Sequence, residues 1–264
     1  MKKKFGQNFL INNSVVKSII NASNININDE VLEVGPGDGI LTKEIINKNP
    51  KKFIAIEIDD SLNNRLKSLF DKKCNNYELI FDDAIKFNEN EKFNNNFIII
   101  SNLPYNISLQ LLIKWTSQLK KSPFAKKMIL MFQKEVAERI LAKENSKKYG
   151  RISILSNVFY DVKKVVDVDK KDFFPIPKVN STVLCFIPIE KTKIKITDIE
   201  YLKKITFILF NNRRKKLKKK IQSLFSDNII KSNLLDELFD LRAENLNLDT
   251  FCKLAILLKK TLKL

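Results

Sequence analysis

The chain has 264 residues, 44% of them hydrophobic, enough to bury a full core and to form one large domain with a smaller one. Its 48 Lys/Arg outnumber 30 Asp/Glu, and the formal net charge of +18 favours a polyanionic partner, although only six of the basic residues are Arg and an AT-rich coding sequence would enrich Lys in the same way. Histidine is absent, which excludes Ser-His-Asp and Cys-His catalysis, a His general base and His-ligated zinc.

Cys74, Cys185 and Cys252 stand far apart with no CxxC, so neither a disulfide framework nor a metal site is expected, and the pattern fits a reducing cytoplasm. Met1-Lys2-Lys3-Lys4 could open a signal peptide, but Gln7, Asn8, Asn12, Asn13 and Lys17 interrupt the apolar stretch such a peptide needs. No segment approaches the ~18 consecutive apolar residues of a membrane span.

In chain order, residues 14–22 read as a short amphipathic helix, with Val15, Val16, Ile19 and Ile20 on one side. Val31–Val34 is a strand, followed by the turn Gly35-Pro36-Gly37-Asp38-Gly39 and a helix over 41–48. Residues 53–59 form a strand ending in acids, and 61–70 a helix by the spacing of Leu62, Leu66 and Leu69. A third strand over 77–81 ends at Asp82-Asp83-Ala84; a fourth, Phe97-Ile98-Ile99-Ile100, leads into Ser101-Asn102-Leu103-Pro104-Tyr105. A helix over 108–120, a strand over 128–132, a helix over 133–143 and β-rich stretches at 158–168 and 181–187 follow. Alternation of this kind predicts a doubly wound α/β sheet over residues 1–189. Residues 191–197 look like a linker, and Thr197-Asp198-Ile199-Glu200 has capping-box spacing. Helical apolar spacing then continues to the end, including Leu217, Ile221 and Leu224, so a second, all-helical domain is expected over 190–264. That part holds 18 Lys/Arg and nine Asp/Glu, and is over twice as basic per residue as the rest.

Four strand ends carry the chemistry. The glycines at 35, 37 and 39 let the backbone turn sharply and approach a ligand closely. Glu57 follows the next strand about 20 residues on, where a carboxylate can accept hydrogen bonds from ribose hydroxyls. The spacing is GxGxG, not the GxGxxG of dinucleotide sites, and plain turn glycines would look the same. Asp83 is placed to accept from an adenine amino group, with Asp82 as an alternative; ligands of open α/β sheets collect at the carboxyl ends of strands. At the fourth strand end, Asn102 offers a side-chain oxygen and Pro104 a backbone carbonyl. Two acceptors aimed at an exocyclic amine favour a pyramidal nitrogen with an available lone pair, and Tyr105 offers a ring face on which an extruded base can stack. An ordinary Asn-Pro turn is the bland alternative. Attack of such a nitrogen on a sulfonium methyl needs positioning more than a strong base, in keeping with the missing histidine. The combination points to methyl transfer from S-adenosylmethionine to a nucleobase.

At these residues the chain resembles the ribosomal RNA adenine N6,N6-dimethyltransferases, the KsgA family, along nearly its whole length. Lys4-Phe5-Gly6-Gln7-Asn8-Phe9-Leu10, Gly35–Gly39, Ile56-Glu57-Ile58-Asp59, Asp83-Ala84, Asn102-Leu103-Pro104-Tyr105-Asn106, Gln133–Ala137, Tyr149–Ser153 and Phe173-Phe174-Pro175-Ile176-Pro177-Lys178-Val179 carry the likeness. The resemblance implies a Rossmann-like methyltransferase sheet with a smaller all-helical C-terminal domain. It implies S-adenosylmethionine as methyl donor with no metal, and Asn8, Leu10, Gly35, Glu57, Asp83 and Asn102 at the cofactor. It also implies that Asn102, Pro104 and Tyr105 hold the acceptor, with Phe173 packing against the target base. Asp82 and Ser101 depart from the family pattern, since Gly commonly stands at both positions.

Asn211-Asn212-Arg213-Arg214-Lys215-Lys216 and Leu241–Asn245 resemble the small-subunit branch, with Arg213, Arg214, Lys215 and Lys216 as a phosphate-contacting surface or, more blandly, a solvated helix. The function so implied is dimethylation of N6 of two adjacent adenosines near the 3′ end of small-subunit RNA; naked RNA and an assembling particle stay open as the substrate, the particle being the expected one, and a monomer is the default. Alternatives are a large-subunit enzyme of the antibiotic-resistance type, a non-catalytic ribosome-assembly factor on the same fold and, more distantly, a DNA adenine methyltransferase.

Overall fold

The computed structural model describes residues 8–70, 76–93, 96–117 and 125–262. Lys4–Gln7 of the N-terminal motif and Cys74 lie outside the described residues. In chain order the elements are β1 (Phe9–Leu10), α1 (Asn13–Ser23), β2 (Glu30–Val34), α2 (Ile40–Asn47), β3 (Lys52–Glu57), α3 (Asn63–Phe70), β4 (Tyr77–Phe81), α4 (Glu89–Lys92), β5 (Phe97–Asn102) and α5 (Ser108–Ser117). There follow β6 (Ala125–Gln133), α6 (Lys134–Leu141), α7 (Arg151–Asn157), β7 (Tyr160–Val168), β8 (Phe173–Phe174), β9 (Ser181–Pro188), α8 (Ile199–Phe210), α9 (Lys218–Gln222), α10 (Asp227–Ser232) and α11 (Leu248–Thr261).

Seven strands form one mixed sheet in the order β4-β3-β2-β5-β6-β9-β7. The strands from β4 through β6 pair in parallel, and β9 runs antiparallel to β6. The parallel strands are covered on both faces, which explains their unbroken apolar runs: Phe97, Ile98, Ile99 and Ile100 are all at most 1% exposed. Strand order reverses between β2 and β5, leaving a crevice at their carboxyl ends. Helix α1 begins where Asn12 accepts hydrogen bonds from the Ser14 and Val15 amides, and ends at Asn24 in the left-handed region. Its Val15, Val16, Ile19 and Ile20 are buried, as the spacing predicted.

Four short elements were not legible: β1, β8, α4 and α7. A short ribbon pairs β1 with β8, strands of two residues each that carry no periodicity. Helix α7 follows Gly150 over a segment with no earlier helical reading. One feature differs from expectation: α8 begins at Ile199, but Thr197 does not cap it, its hydroxyl pairing instead with the Asp198 carboxylate at 3.1 Å.

Contacts divide the chain into two units. The first is Met1–Ala137 with Asp161–Pro188; the second is Glu138–Tyr160 with Ile189–Leu264. The sequence places the division after residue 189, and the contacts add Glu138–Tyr160 to the C-terminal unit. That unit is helical: α8 packs on α11 and α7, and Phe210 stacks on Phe251 with ring centroids 5.6 Å apart. No helix among the described residues is long and apolar enough to cross a membrane.

Candidate active site

A cavity opens at the carboxyl ends of β2, β3, β4 and β5, at the switch point. Asn8, Leu10, Gly35, Glu57, Asp83, Asn102, Pro104 and Tyr105 all line it. Those from Gly35 to Tyr105, up to 70 positions apart, meet there because each ends or follows a strand of one parallel sheet, and the β1 ribbon brings in Asn8 and Leu10.

The turn after β2 is shaped by backbone conformations that only glycine adopts easily. Gly35, Gly37 and Gly39 have φ of +70°, +56° and +82°. A Cβ on Gly37 would lie 2.9 Å from the Phe9 ring, so the loop leaves no room for a side chain there. The Gly35 amide is held by the Ile56 carbonyl at 2.9 Å, which ties the turn to β3. Ser101, where the family pattern commonly has Gly, is buried and donates its hydroxyl to the Val34 carbonyl, linking β5 to β2 just below the turn.

Glu57 is 4% exposed and accepts from three backbone amides: Gly37 at 3.1 Å, Ile58 at 2.9 Å and Asp59 at 3.0 Å. Burial raises its pKa, and the three N–H groups oppose that shift. Asp83 lines the cavity and accepts from the Ile85 amide, whereas exposed Asp82 accepts from the Asp83 amide and does not line it. The loop after Asp83 is pinned from α5: Lys114 Nζ donates to the Ala84 carbonyl at 2.8 Å, to the Phe87 carbonyl and to Glu89 Oε1 at 2.9 Å. Buried Trp115 donates its ring N–H to the same Glu89 oxygen at 2.7 Å.

On the acceptor side, Asn102 donates its side-chain amide to the Asn8 carbonyl at 3.1 Å. The reverse orientation would set two oxygens against each other, so this bond leaves Oδ1 free to accept. The Pro104 carbonyl takes the Ile107 amide at 3.1 Å and keeps its second lone pair. The half-buried Tyr105 shares a 2.6 Å hydrogen bond with Ser181, a fully buried residue on β9. Burial raises the Tyr105 pKa, so the phenol stays protonated. Ser181 carries no signal in the sequence, because its partner lies 76 residues away and the antiparallel placement of β9 brings the two together.

The structure places Phe173 in the core, opposite Leu10. It is 1% exposed, belongs to the main core cluster and does not line the cavity; the exposed ring is that of Phe174, at 60%. Neighbours on a strand face opposite ways, and two consecutive Phe residues give no clue to which is inward. The basic segment also divides. Arg213 is committed within its own unit, with Nε donating to Glu244 at 2.5 Å and Nη2 to the Ser146 carbonyl at 3.0 Å. Lys216 pairs with Asp240 at 2.6 Å, while Arg214 and Lys215 are exposed.

The ribosomal RNA adenine dimethylase profile matches residues 1–260. The chain belongs to the ribosomal RNA adenine dimethylase family. This dimethylase is 41% identical over 253 residues to ribosomal RNA small subunit methyltransferase A of Pelagibacter ubique, covering 96% of this chain and 95% of that one. It is 40% identical to the same-named protein of Wolbachia pipientis from Culex pipiens, over 96% and 95% of the two chains. Among solved structures, a dimethyladenosine transferase from Plasmodium falciparum superposes with a TM-score of 0.79 at 31% identity, covering 96% and 98% of the chains. The 23S rRNA methyltransferase ErmE superposes at 0.71 with 19% identity over 96% and 100%, which establishes the shared fold alone. The dimethylase is therefore a methyltransferase of Rossmann-like fold, as the resemblance implied.

Proposed function

We propose that the enzyme transfers methyl groups from S-adenosylmethionine to N6 of two adjacent adenosines near the 3′ end of small-subunit ribosomal RNA, within an assembling small subunit, as a cytoplasmic monomer. The observation that carries this reading is the Asn102 amide. It lines the same cavity as the glycine turn and Glu57, and its N–H is held by Asn8, which leaves Oδ1 to accept from a substrate donor. The small-subunit names of its relatives at about 40% identity support the substrate.

The cavity fits an adenosyl sulfonium. The Gly35–Gly37 turn lines it with backbone, Glu57 is placed for ribose hydroxyls, and Asp83 for the adenine amine. S-adenosylmethionine supplies an electrophilic methyl group. Asn102 Oδ1 and the Pro104 carbonyl accept the two N–H groups of the target amine and direct its lone pair into the cavity. Tyr105 stacks on the base. No side chain acts as a strong base, because the amine loses its proton only after it becomes cationic, when water suffices. Exposed Arg214 and Lys215 supply phosphate contacts.

The test is transfer of labelled methyl to undermethylated small subunits, large subunits and protein-free rRNA. Label in small subunits alone, recovered as N6,N6-dimethyladenosine, is the expected result. Asn102→Ala is expected to abolish it while cofactor binding persists. Label confined to large-subunit RNA, or wild-type turnover in Asn102→Ala, would overturn the substrate or the mechanism respectively.

A further inference from the structure

The segment that displaces Phe173 inward puts an unusual amount of apolar surface outside. Phe174 is 60% exposed, Ile176 61%, Val179 42% and Ile11, on the paired β1 side of the ribbon, 55%. Exposed apolar clusters of this kind mark contact surfaces. The register fixes where this one faces. Phe9 pairs directly with Phe174, and Leu10 with Phe173. Directly opposed residues of an antiparallel pair share a face. Leu10 and Phe173 enter the core, whereas Phe174 shares the face of Phe9, whose ring lies against the Gly37 turn of the cavity. Phe9, the partner of Phe174, lines the cavity and follows Asn8, the residue that holds Asn102. The exposed ring is therefore paired with a residue of the cavity wall, next in the chain to Asn8.

The segment is also anchored. Asn180 accepts the Lys170 amide on its side chain at 3.0 Å and the Lys134 amide on its carbonyl at 2.9 Å, and Ile11 donates its amide to the Asp172 carbonyl at 2.8 Å. Its charge suits a polyanion. Lys170, Lys171 and Lys178, within four positions of Phe174 in the chain, are exposed, while Asp169 and Asp172 accept hydrogen bonds from the segment itself and from Asn12. Asp169 caps the Lys171 amide, and Asp172 takes the Asn12 side chain and the Asp169 amide. An exposed aromatic ring on a lysine-rich segment matches an unstacked nucleotide.

We propose that Phe174 is a stacking platform for the nucleotide adjacent to the adenosine held at Asn102. On the reading above, on which this rests, that neighbour is the second target adenosine. The platform holds it outside while the first is modified.

The experiment measures steady-state methylation of undermethylated small subunits, and cofactor affinity, for wild type and for Phe174→Ala, Phe174→Leu and Phe174→Trp. The residue is exposed, so all three variants are expected to keep the wild-type melting temperature. Phe174→Ala is expected to raise KM for the particles on the order of tenfold, within what a lost base–aromatic stack costs. Phe174→Trp restores it, Phe174→Leu does not, and cofactor affinity is unchanged throughout. Rescue by Leu would assign the patch to a protein contact, and a loss of cofactor affinity would make the ring part of the cofactor cavity. A dimer that Phe174→Ala dissociates would assign it to a second copy, and an unchanged KM would leave it without a role. Each of these overturns the platform. If wild type itself methylates no small subunit, the functional reading fails first; if only the variants behave as wild type, the platform alone does.

Discussion

A single buried hydroxyl decides how the Tyr105 ring is held. Ser181 is 0% exposed, and its 2.6 Å bond to the phenol is its contact with the site. Tyr105→Phe and Ser181→Ala each remove that one bond while keeping the ring. Each is expected to lower kcat/KM for RNA about fivefold, the rate equivalent of a ~1 kcal/mol hydrogen bond. The double variant should be no worse than either single one, because both act on the same pair. Additive losses in that cycle would show that Ser181 acts elsewhere. The same scale explains the error at Phe173. Whether a residue faces core or solvent depends on a parity of one position, and the aromatic pair at 173–174 is silent on it.

Among the elements, the turn after β2 is the least tolerant of change. Gly37→Ala must place a side chain at φ +56° with its Cβ 2.9 Å from the Phe9 ring. It is expected to weaken cofactor binding at least tenfold and to cost ~1–2 kcal/mol of stability. Gly150→Ala is the control, since nothing lies within 4 Å of the added Cβ. Calorimetric titration and thermal melting of the two variants distinguish a shaped cradle from general glycine intolerance. The connection between α8 and α9 divides in a similar way. Arg213→Ala removes the hydrogen bonds to Glu244 and Ser146, so it should lower the melting temperature. Arg214→Ala and Lys215→Ala should leave melting unchanged, and each should reduce the slope of log affinity for RNA against log salt by about one. Equal effects of all three on RNA binding, with no melting change, would contradict this division.

Across the whole molecule, stability should depend on a carboxyl at the heart of the sheet. Glu33 is 1% exposed on β2; Thr42 donates to its Oε2 at 2.7 Å, and Oε1 has no partner. Burial lifts its pKa from 4.5 to about 8. Below pH 4.5 the group is protonated in both folded and unfolded chains, and its contribution is fully present. Between 4.5 and about 8 the unfolded chain binds fewer protons than the folded one, so stability falls as pH rises through that window. Glu57, also raised by burial, adds to the same trend. Glu33→Gln keeps the neutral shape, so its melting temperature should gain on wild type as pH rises from 4.5 to 8. Parallel melting curves for the two proteins across that range would show that Glu33 is ionised in the fold.

The sequence by itself determined the parallel strands, the glycine turn, the acids at 57 and 83 and the Asn-Leu-Pro-Tyr loop. These are local signals: apolar runs, glycines and strand-end polar residues declare themselves within a few positions, and a parallel sheet collects its strand ends at one edge. Family membership followed from the same motifs, spread over residues 1–260. Only the tertiary structure decided that Ser181 holds Tyr105, that Phe174 and not Phe173 is exposed, and that Arg213 is spent on Glu244. The Tyr105–Ser181 and Arg213–Glu244 pairs join residues 76 and 31 positions apart, and the facing of Phe173 and Phe174 depends on pairing with β1. Side-chain partnership across such separations is set by strand order and register, which no local pattern in the chain encodes.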